Sequence, residues 1–152
     1  MFLCNSHKQK LLNESPERLR EISRQWSEQA AMHYQFSRYD VALPYAGCAM
    51  EVCWIEAEKS DSPSLVLLTQ TLCLAIYCFN LLSHLKDEQS GYAVLAMSWQ
   101  HFSRFALSLN DPEMVKQYLI LCKDNEQHES AIEQHTTWPF EPVGQGVVAI
   151  LH

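Results

Sequence analysis

Glycine is scarce in this sequence, with four residues among 152. A fold rich in strands and tight turns normally uses more glycine, because many turn types need a residue at positive φ. The shortage therefore favours helices. Positive charge is scarce as well, since 11 lysines and arginines stand against 18 acidic residues, a net charge of −7. Nucleic acid binds to cationic surfaces, so we expect no nucleic-acid partner.

The sequence also lacks the motifs of common active sites. It has no Gly-x-Ser-x-Gly nucleophile elbow, and its single Gly-x-Gly (144–146) precedes no helix, which a phosphate-binding loop requires. The cysteine pairs Cys48/Cys53 and Cys73/Cys78 are each five residues apart. On a helix that spacing points the two thiols about 140° apart, too divergent to bind one ion. We therefore expect no catalytic residue, no metal site and no cofactor.

Cysteine usage and the first residues bear on localisation. The six cysteines lie mostly in apolar runs, as reduced core thiols do, and Met1–Cys4 lacks the basic and apolar regions of a secretory leader. We expect a cytoplasmic protein. The apolar stretch 65–85 is long enough to span a bilayer, but it contains polar residues such as Gln70 and Asn80 that are costly in lipid. We expect a buried central helix there and no membrane partner.

Hydrophobic periodicity predicts five or six helices over residues 1–137. Ser15 and Pro16 mark a helix start, an N-cap followed by proline at the first position. We expect Asp40 to cap a second helix that ends near Lys59, and a third helix to end near Lys86. The apolar stripes predicted for the first, second and fourth of these helices are as follows: Leu19, Ile22, Trp26, Ala30 and His33; Ala42, Tyr45, Ala49, Val52 and Glu56; Tyr92, Leu95, Trp99, Phe102, Ala106 and Leu109.

Residues 23–56 resemble one tetratricopeptide repeat. Trp26 stands at the large position of the repeat's first helix, Ala30 at its small position, and the run YDVALPY (39–45) reads like the start of its second helix. Small residues at Ala30 and Ala42 would let the two helices of a hairpin touch closely. The match departs from the repeat at Ala46, where an aromatic is common. The rest of the chain is degenerate, similar in size to small bacterial repeat proteins.

The resemblance implies antiparallel hairpins arranged as an α-α superhelix, with a concave surface that binds a protein or a peptide. First-helix positions of the repeat would line that groove. In this sequence they are Arg24, Ser27, Glu28, Ala31, Tyr34 and Gln35. The competing interpretation is that the chain's own tail, or another helix, covers this face.

The last residues, 138–152, differ in composition from the helical part. Two prolines force extended backbone before them, and a β-branched apolar run follows. We expect a tail that packs on the domain or on a second copy in a homodimer. Its self-association residues would be Trp138, Phe140, Val147, Val148, Ile150 and Leu151.

Three functional hypotheses remain open at this point. The first is a binding or adaptor module for a protein or peptide. The second is a small helical enzyme or ligand-binding bundle with a site between helices, around His33, Tyr34, His84 and His101. The third is a structural homo-oligomer.

Overall fold

The computed structural model of the protein describes residues 2–61 and 63–109. This part contains five helices and no strand: α1 (Asn5–Leu12), α2 (Pro16–Gln35), α3 (Tyr39–Lys59), α4 (Leu65–His84) and α5 (Glu88–Leu109). The predicted all-α class is confirmed. The part of the predicted helical domain beyond residue 109, and the tail 138–152 with its proposed self-association residues, lie outside the described residues.

The helices begin where local chemistry favours it, though not always at the predicted residue. Ser15 caps α2 as predicted, because its hydroxyl accepts the backbone N–H of Arg18. Asp40 is not the cap of α3, since that helix already begins at Tyr39 and Asp40 lies in its first turn. A carboxylate there still interacts favourably with the helix dipole. The cap of α4 is Ser64, whose hydroxyl accepts the backbone N–H of Leu67.

Helices α2 to α5 run antiparallel and pack against one another in chain order, whereas α1 packs on α3. Arg20, near the start of α2, bonds to Glu56, near the end of α3, while His33 at the other end of α2 stacks on Tyr45. The turns between α2 and α3 and between α4 and α5 span three residues each, which forces reversal. Each of these turns contains a residue at positive φ, Ser37 and Lys86 respectively.

The α2–α3 pair forms the tight hairpin that the alanine spacing predicts. Ala30 on α2 and Ala42, Ala46 and Ala49 on α3 are completely buried. Side chains this small let helix backbones approach closely, and Trp26 is half-buried beside them. The bond from the Ser23 hydroxyl to the carbonyl of Ala49 joins the two helices directly.

On α3 the predicted stripe is buried at Ala42, Ala49, Val52 and Glu56, whereas α2 and α5 follow their predicted stripes only in part. On α2 the stripe at Ile22 and Trp26 is only half-buried, whereas Ser23 and Ser27 are buried. On α5 the predicted core residue Tyr92 is 50% exposed. Each helix contacts more than one neighbour, so its buried sector is centred between them and not on its most apolar residues.

Helix α4 accounts for the long apolar stretch of the sequence. Residues Val66–His84 are long and apolar enough to cross a membrane by length and composition, and 72% of them are buried inside the protein. The helix packs on α3 and on α5 along its length. Burial between these neighbours therefore explains its apolar character, as the sequence predicted for a central helix.

The segment before α2 is fastened to α3 by a buried carboxylate. Glu51 accepts hydrogen bonds from the backbone N–H groups of Phe2 and Leu3, each at 2.9 Å, and its carboxylate also lies 3.6 Å from the ammonium of Lys8. The ring of Phe2 lies directly over Gly47. This contact places the start of α1 next to the middle of α3.

Candidate functional site

The predicted groove residues of α2 do not share one environment. Arg24 is engaged by two carboxylates on its own helix: it lies 2.7 Å from Glu21 and also pairs with Glu28. Bonding to Arg24 holds the pKa of Glu21 below its usual value. These three charges form a half-exposed chain along the outside of α2, and Gln35 is exposed farther along the same side.

Two of the predicted groove residues lie inside the protein. Ser27 is fully buried, and its hydroxyl has no hydrogen-bond partner among the described residues. Ala31 is 4% exposed and belongs to the main core cluster. Among the predicted residues, only the charged group, Tyr34 and Gln35 are accessible to a ligand. The binding role of this face stays a prediction, and two of its residues could contribute only through packing.

Exposed apolar side chains concentrate instead at one end of the bundle. We call it the turn end, formed by residues 32–41 around the α2–α3 turn and residues 84–92 around the α4–α5 turn. Most exposed large hydrophobic side chains of the described residues lie there, whereas Leu12 and Val66 lie elsewhere. Those at the turn end are Met32, Phe36, Val41, Leu85 and Tyr92.

A cluster of four aromatic rings packs between the helices next to the turn end. Tyr39, in the first turn of α3, stacks on His84, in the last turn of α4, with ring centroids 4.2 Å apart. Tyr34 contacts both Tyr39 and Tyr77, each at 5.4 Å. Tyr77 is buried, its hydroxyl donates to the carbonyl of Ala30 at 3.4 Å, and burial raises its pKa. The cluster fixes the relative position of three helix ends.

Charges of both signs surround the turn end. Arg38 and Lys86 are exposed beside the two turns, and Asp40, Asp87 and Glu88 are exposed near them. Arg38 lies over the ring of Phe36 at 6.0 Å. A surface that combines exposed apolar side chains with charges of both signs resembles the composition of protein interfaces and not that of a polyanion site.

A pocket lies between α3, α4 and α5, near the end of the bundle opposite the turn end. The pocket encloses about 220 Å³, including the part that opens to solvent, and its lining is mostly apolar. Trp54 and His101 stack across it with centroids 4.3 Å apart. The indole N–H of Trp54 is buried and has no partner within the part of the chain that the structure describes. Burial, followed by the charge of Arg104, lowers the pKa of His101, which favours the neutral form of its ring. The pocket is smaller than the usual site for a small molecule.

The histidines named for an inter-helix catalytic site are not brought together. His33 stacks on Tyr45, His84 stacks on Tyr39, and His101 lies in the separate pocket. Within residues 2–61 and 63–109, no group of three or more histidine, cysteine or acidic side chains is placed to hold a metal ion. Of the four residues named, the structure brings together Tyr34 and His84, whose ring centroids are 6.0 Å apart. His101 lies apart from them beside the small pocket, next to Arg104 and Glu58.

Comparison with protein-family models, with curated proteins and with solved structures finds no match. The resemblance of residues 23–56 to a tetratricopeptide repeat is therefore supported by the sequence pattern of those residues alone.

Proposed function

We propose that this chain is a protein- or peptide-binding module of tetratricopeptide-like type, working without a cofactor in the cytoplasm, and that its partner docks on the turn end. The observation that carries the proposal is the concentration of exposed apolar side chains there. Phe36 is 65% exposed and Tyr92 is 50% exposed, although the core nearby is well packed. Exposed aromatic side chains gathered in one place typically mark binding surfaces.

The hairpin architecture is consistent with this function. Residues 16–59 form two antiparallel helices in close contact, the unit from which helical repeats are built. The aromatic cluster beneath the turn end holds the exposed side chains on rigid helix ends, so a partner would meet a preformed surface. Preformed surfaces lose less conformational entropy on binding.

The proposal is tested by selecting random peptides on the purified full chain and measuring their affinity for variants. We expect selected peptides to carry apolar or aromatic residues. Removing one central aromatic contact at an interface commonly costs about 2 kcal/mol or more. Phe36→Ser should therefore weaken binding by about thirtyfold, since 1.4 kcal/mol corresponds to a factor of ten.

Val66→Ser is the matched control, because Val66 is 61% exposed but lies at the start of α4, at the opposite end of the bundle. This variant should bind the selected peptides as the original chain does. Equal binding by both variants would contradict docking at the turn end. Weakening by Arg24→Ala, with Phe36→Ser unaffected, would instead favour the charged face of α2.

Self-association is the alternative for the same surface, and it includes the hypothesis of a structural homo-oligomer. Light scattering on the full chain, on Phe36→Ser and on a chain lacking residues 138–152 separates the cases. A dimer that only Phe36→Ser dissociates would mean that the turn end binds a second copy. A dimer lost only with the tail would assign assembly to residues 138–152.

A further inference from the structure

The hairpins α2–α3 and α4–α5 repeat one backbone pattern at a spacing of 49 residues. Helices α2 and α4 are both 20 residues long. Each follows a serine, Ser15 or Ser64, whose hydroxyl accepts the backbone N–H three residues later. Helix α3 begins at Tyr39 and α5 begins at Glu88, which preserves the same spacing. The helix starts of the two hairpins therefore share one register.

The two turns have the same backbone hydrogen bonds. Ser37 and Lys86, 49 residues apart, are at positive φ of 57° and 63°. In each turn the N–H of this residue donates to the carbonyl three residues earlier, and the next N–H donates to the carbonyl five residues earlier. This pair of bonds is the Schellman ending of a helix. Both turns therefore hold the side chains around them in the same way.

The packing beside the turns keeps its register, although the residues change. Ala30 and Phe79 occupy equivalent positions on α2 and α4, and Ala42 and Gly91 occupy equivalent positions on α3 and α5; all four are buried. A Cβ atom added at Gly91 would lie 2.9 Å from the ring of Phe79. The second hairpin thus combines a larger side chain on one helix with glycine on the other. Exchange of volume between facing positions preserves close packing, so the backbone repeat is present without a repeat in sequence.

The turn end consequently carries two equivalent apolar side chains. Phe36 and Leu85 each directly follow the last residue of their helix, and they are 65% and 38% exposed. The rings of Tyr34 and His84, one or two residues earlier, have centroids 6.0 Å apart, so the two turns are neighbours. Helices in side-chain contact lie about 8–10 Å apart. We therefore expect the two apolar side chains to lie roughly 10 Å apart.

The equivalent charged residues beside these side chains have opposite signs. Arg38 lies 6.0 Å from the ring centroid of Phe36. The residue at the same place in the second turn is Asp87, and its bond to the N–H of Ser90 holds the pKa of this carboxyl below its ordinary value. With their neighbours, the first turn is neutral and the second carries one net negative charge; these neighbours are Asp40, Lys86 and Glu88. The two turns are thus alike in shape and different in charge.

We propose that the turn end binds one amphipathic helix of a partner protein, which places one apolar side chain on Phe36 and another on Leu85. This inference rests on the proposed binding function of the same surface. Residues seven apart share one face of a helix and are about 10.5 Å apart, which matches the expected separation of the two turns. The described residues contain no strand with which an extended segment could pair, whereas a helix satisfies its own backbone groups.

The charges give the bound helix a direction. An acidic side chain next to the first apolar residue faces Arg38, and a basic side chain next to the second faces Asp87. Charges at the edge of an interface fix orientation and contribute little to affinity. The apolar pair therefore supplies most of the binding, and the charges select one of the two ways in which the helix could lie.

The test uses peptides selected on the full chain and isothermal titration calorimetry. We expect one peptide to bind per chain, with two apolar residues about seven positions apart. Phe36→Ser and Leu85→Ser should each weaken binding, Leu85→Ser by about fivefold or more. Leu12→Ser is the matched control, because Leu12 is also 38% exposed but lies outside the turn end. This variant should bind the peptide as the original chain does.

Changes in the peptide test the same contacts without relying on the folding of a variant. With the first apolar residue replaced by alanine, binding should no longer depend on Phe36→Ser; with the second replaced, it should no longer depend on Leu85→Ser. Asp87→Asn keeps the oxygen that accepts the N–H of Ser90. It should weaken peptides that carry the basic residue by about twofold to fivefold at low salt.

The outcomes separate this inference from the function on which it rests. Weakening by Phe36→Ser, with Leu85→Ser equal to Leu12→Ser, would overturn binding at two points and leave the turn end as a binding surface. Two peptides bound per chain, or bound peptides without helical circular dichroism, would also overturn the helical partner. Peptide binding that neither Phe36→Ser nor Leu85→Ser changes would remove the proposed function itself.

Discussion

Gly47 lies in the middle of α3, with the ring of Phe2 packed against its backbone. A Cβ atom added at Gly47 would lie 2.2–2.4 Å from three ring atoms of Phe2. Alanine cannot be accommodated there unless the ring moves away. The substitution Gly47→Ala therefore combines a local gain in helix propensity with the loss of a contact that anchors the segment before α1.

The two effects can be compared in magnitude. Glycine in a helix interior costs about 1 kcal/mol relative to alanine, so Gly47→Ala alone should stabilise by that amount. Full burial of a phenylalanine side chain contributes about 1.5–3 kcal/mol, and Phe2 is half-buried, which leaves about 1–2 kcal/mol to be lost when its ring moves. The expected net result in the original chain is a loss of about 0–1 kcal/mol instead of a gain.

A double-mutant cycle with Phe2→Ala isolates this contact. Without the ring, Gly47→Ala should stabilise the protein by about 1 kcal/mol. The free energy of unfolding, measured by urea denaturation followed by circular dichroism, should thus give a coupling of about 1–2 kcal/mol between the two positions. If Gly47→Ala stabilises both backgrounds equally, Phe2 does not pack on Gly47, and the ring contact does not contribute to anchoring the segment before α1.

Three further predictions concern buried ionisable groups. Glu51→Ala should lower the free energy of unfolding, measured by urea denaturation, by about 2–4 kcal/mol, since hydrogen bonds to charged groups contribute about 1.5–3 kcal/mol each. Glu51→Gln keeps an acceptor and should lower it by less. Equal losses in the two variants would contradict the role of the Glu51 carboxylate in fastening residues 2 and 3 to α3. Burial raises the pKa of Glu56 despite its bond to Arg20. The folded state therefore holds this proton more tightly than the unfolded state, and stability should fall as pH rises through and above 4.5. Glu56→Gln should flatten that decline in melting temperature, and an unchanged profile would argue against it. Because the pKa of His101 is lowered, stability should fall as pH drops below about 6.5; His101→Phe should remove this part of the acid sensitivity, and retention of the full loss would exclude His101 as its source.

The α2–α3 hairpin could be predicted because its signals are local. Ser15 and Pro16 carry their helix-start chemistry in adjacent residues, and alanines at three- and four-residue spacing predict a close helix contact whatever the rest of the fold is. Both expectations are confirmed, as Ala30 and Ala42 are completely buried. The burial of Glu51 and its bonds to residues 2 and 3 could not be predicted, because the donors of these hydrogen bonds are 48 and 49 residues away in sequence.

The surface that we propose for binding could not be predicted for a related reason. It is assembled from the ends of four helices, and no sequence window contains more than two of them. The predicted stripe of α5 placed Tyr92 in the core, yet the buried line runs through Gly91, Val94 and Ser98. Gly91 faces the ring of Phe79, and a Cβ atom added at Gly91 would lie 2.9 Å from that ring. Helix α5 therefore packs on α4 at Gly91, and the neighbouring Tyr92 points to solvent. Close packing at a small residue thus leaves an aromatic ring exposed at the turn end.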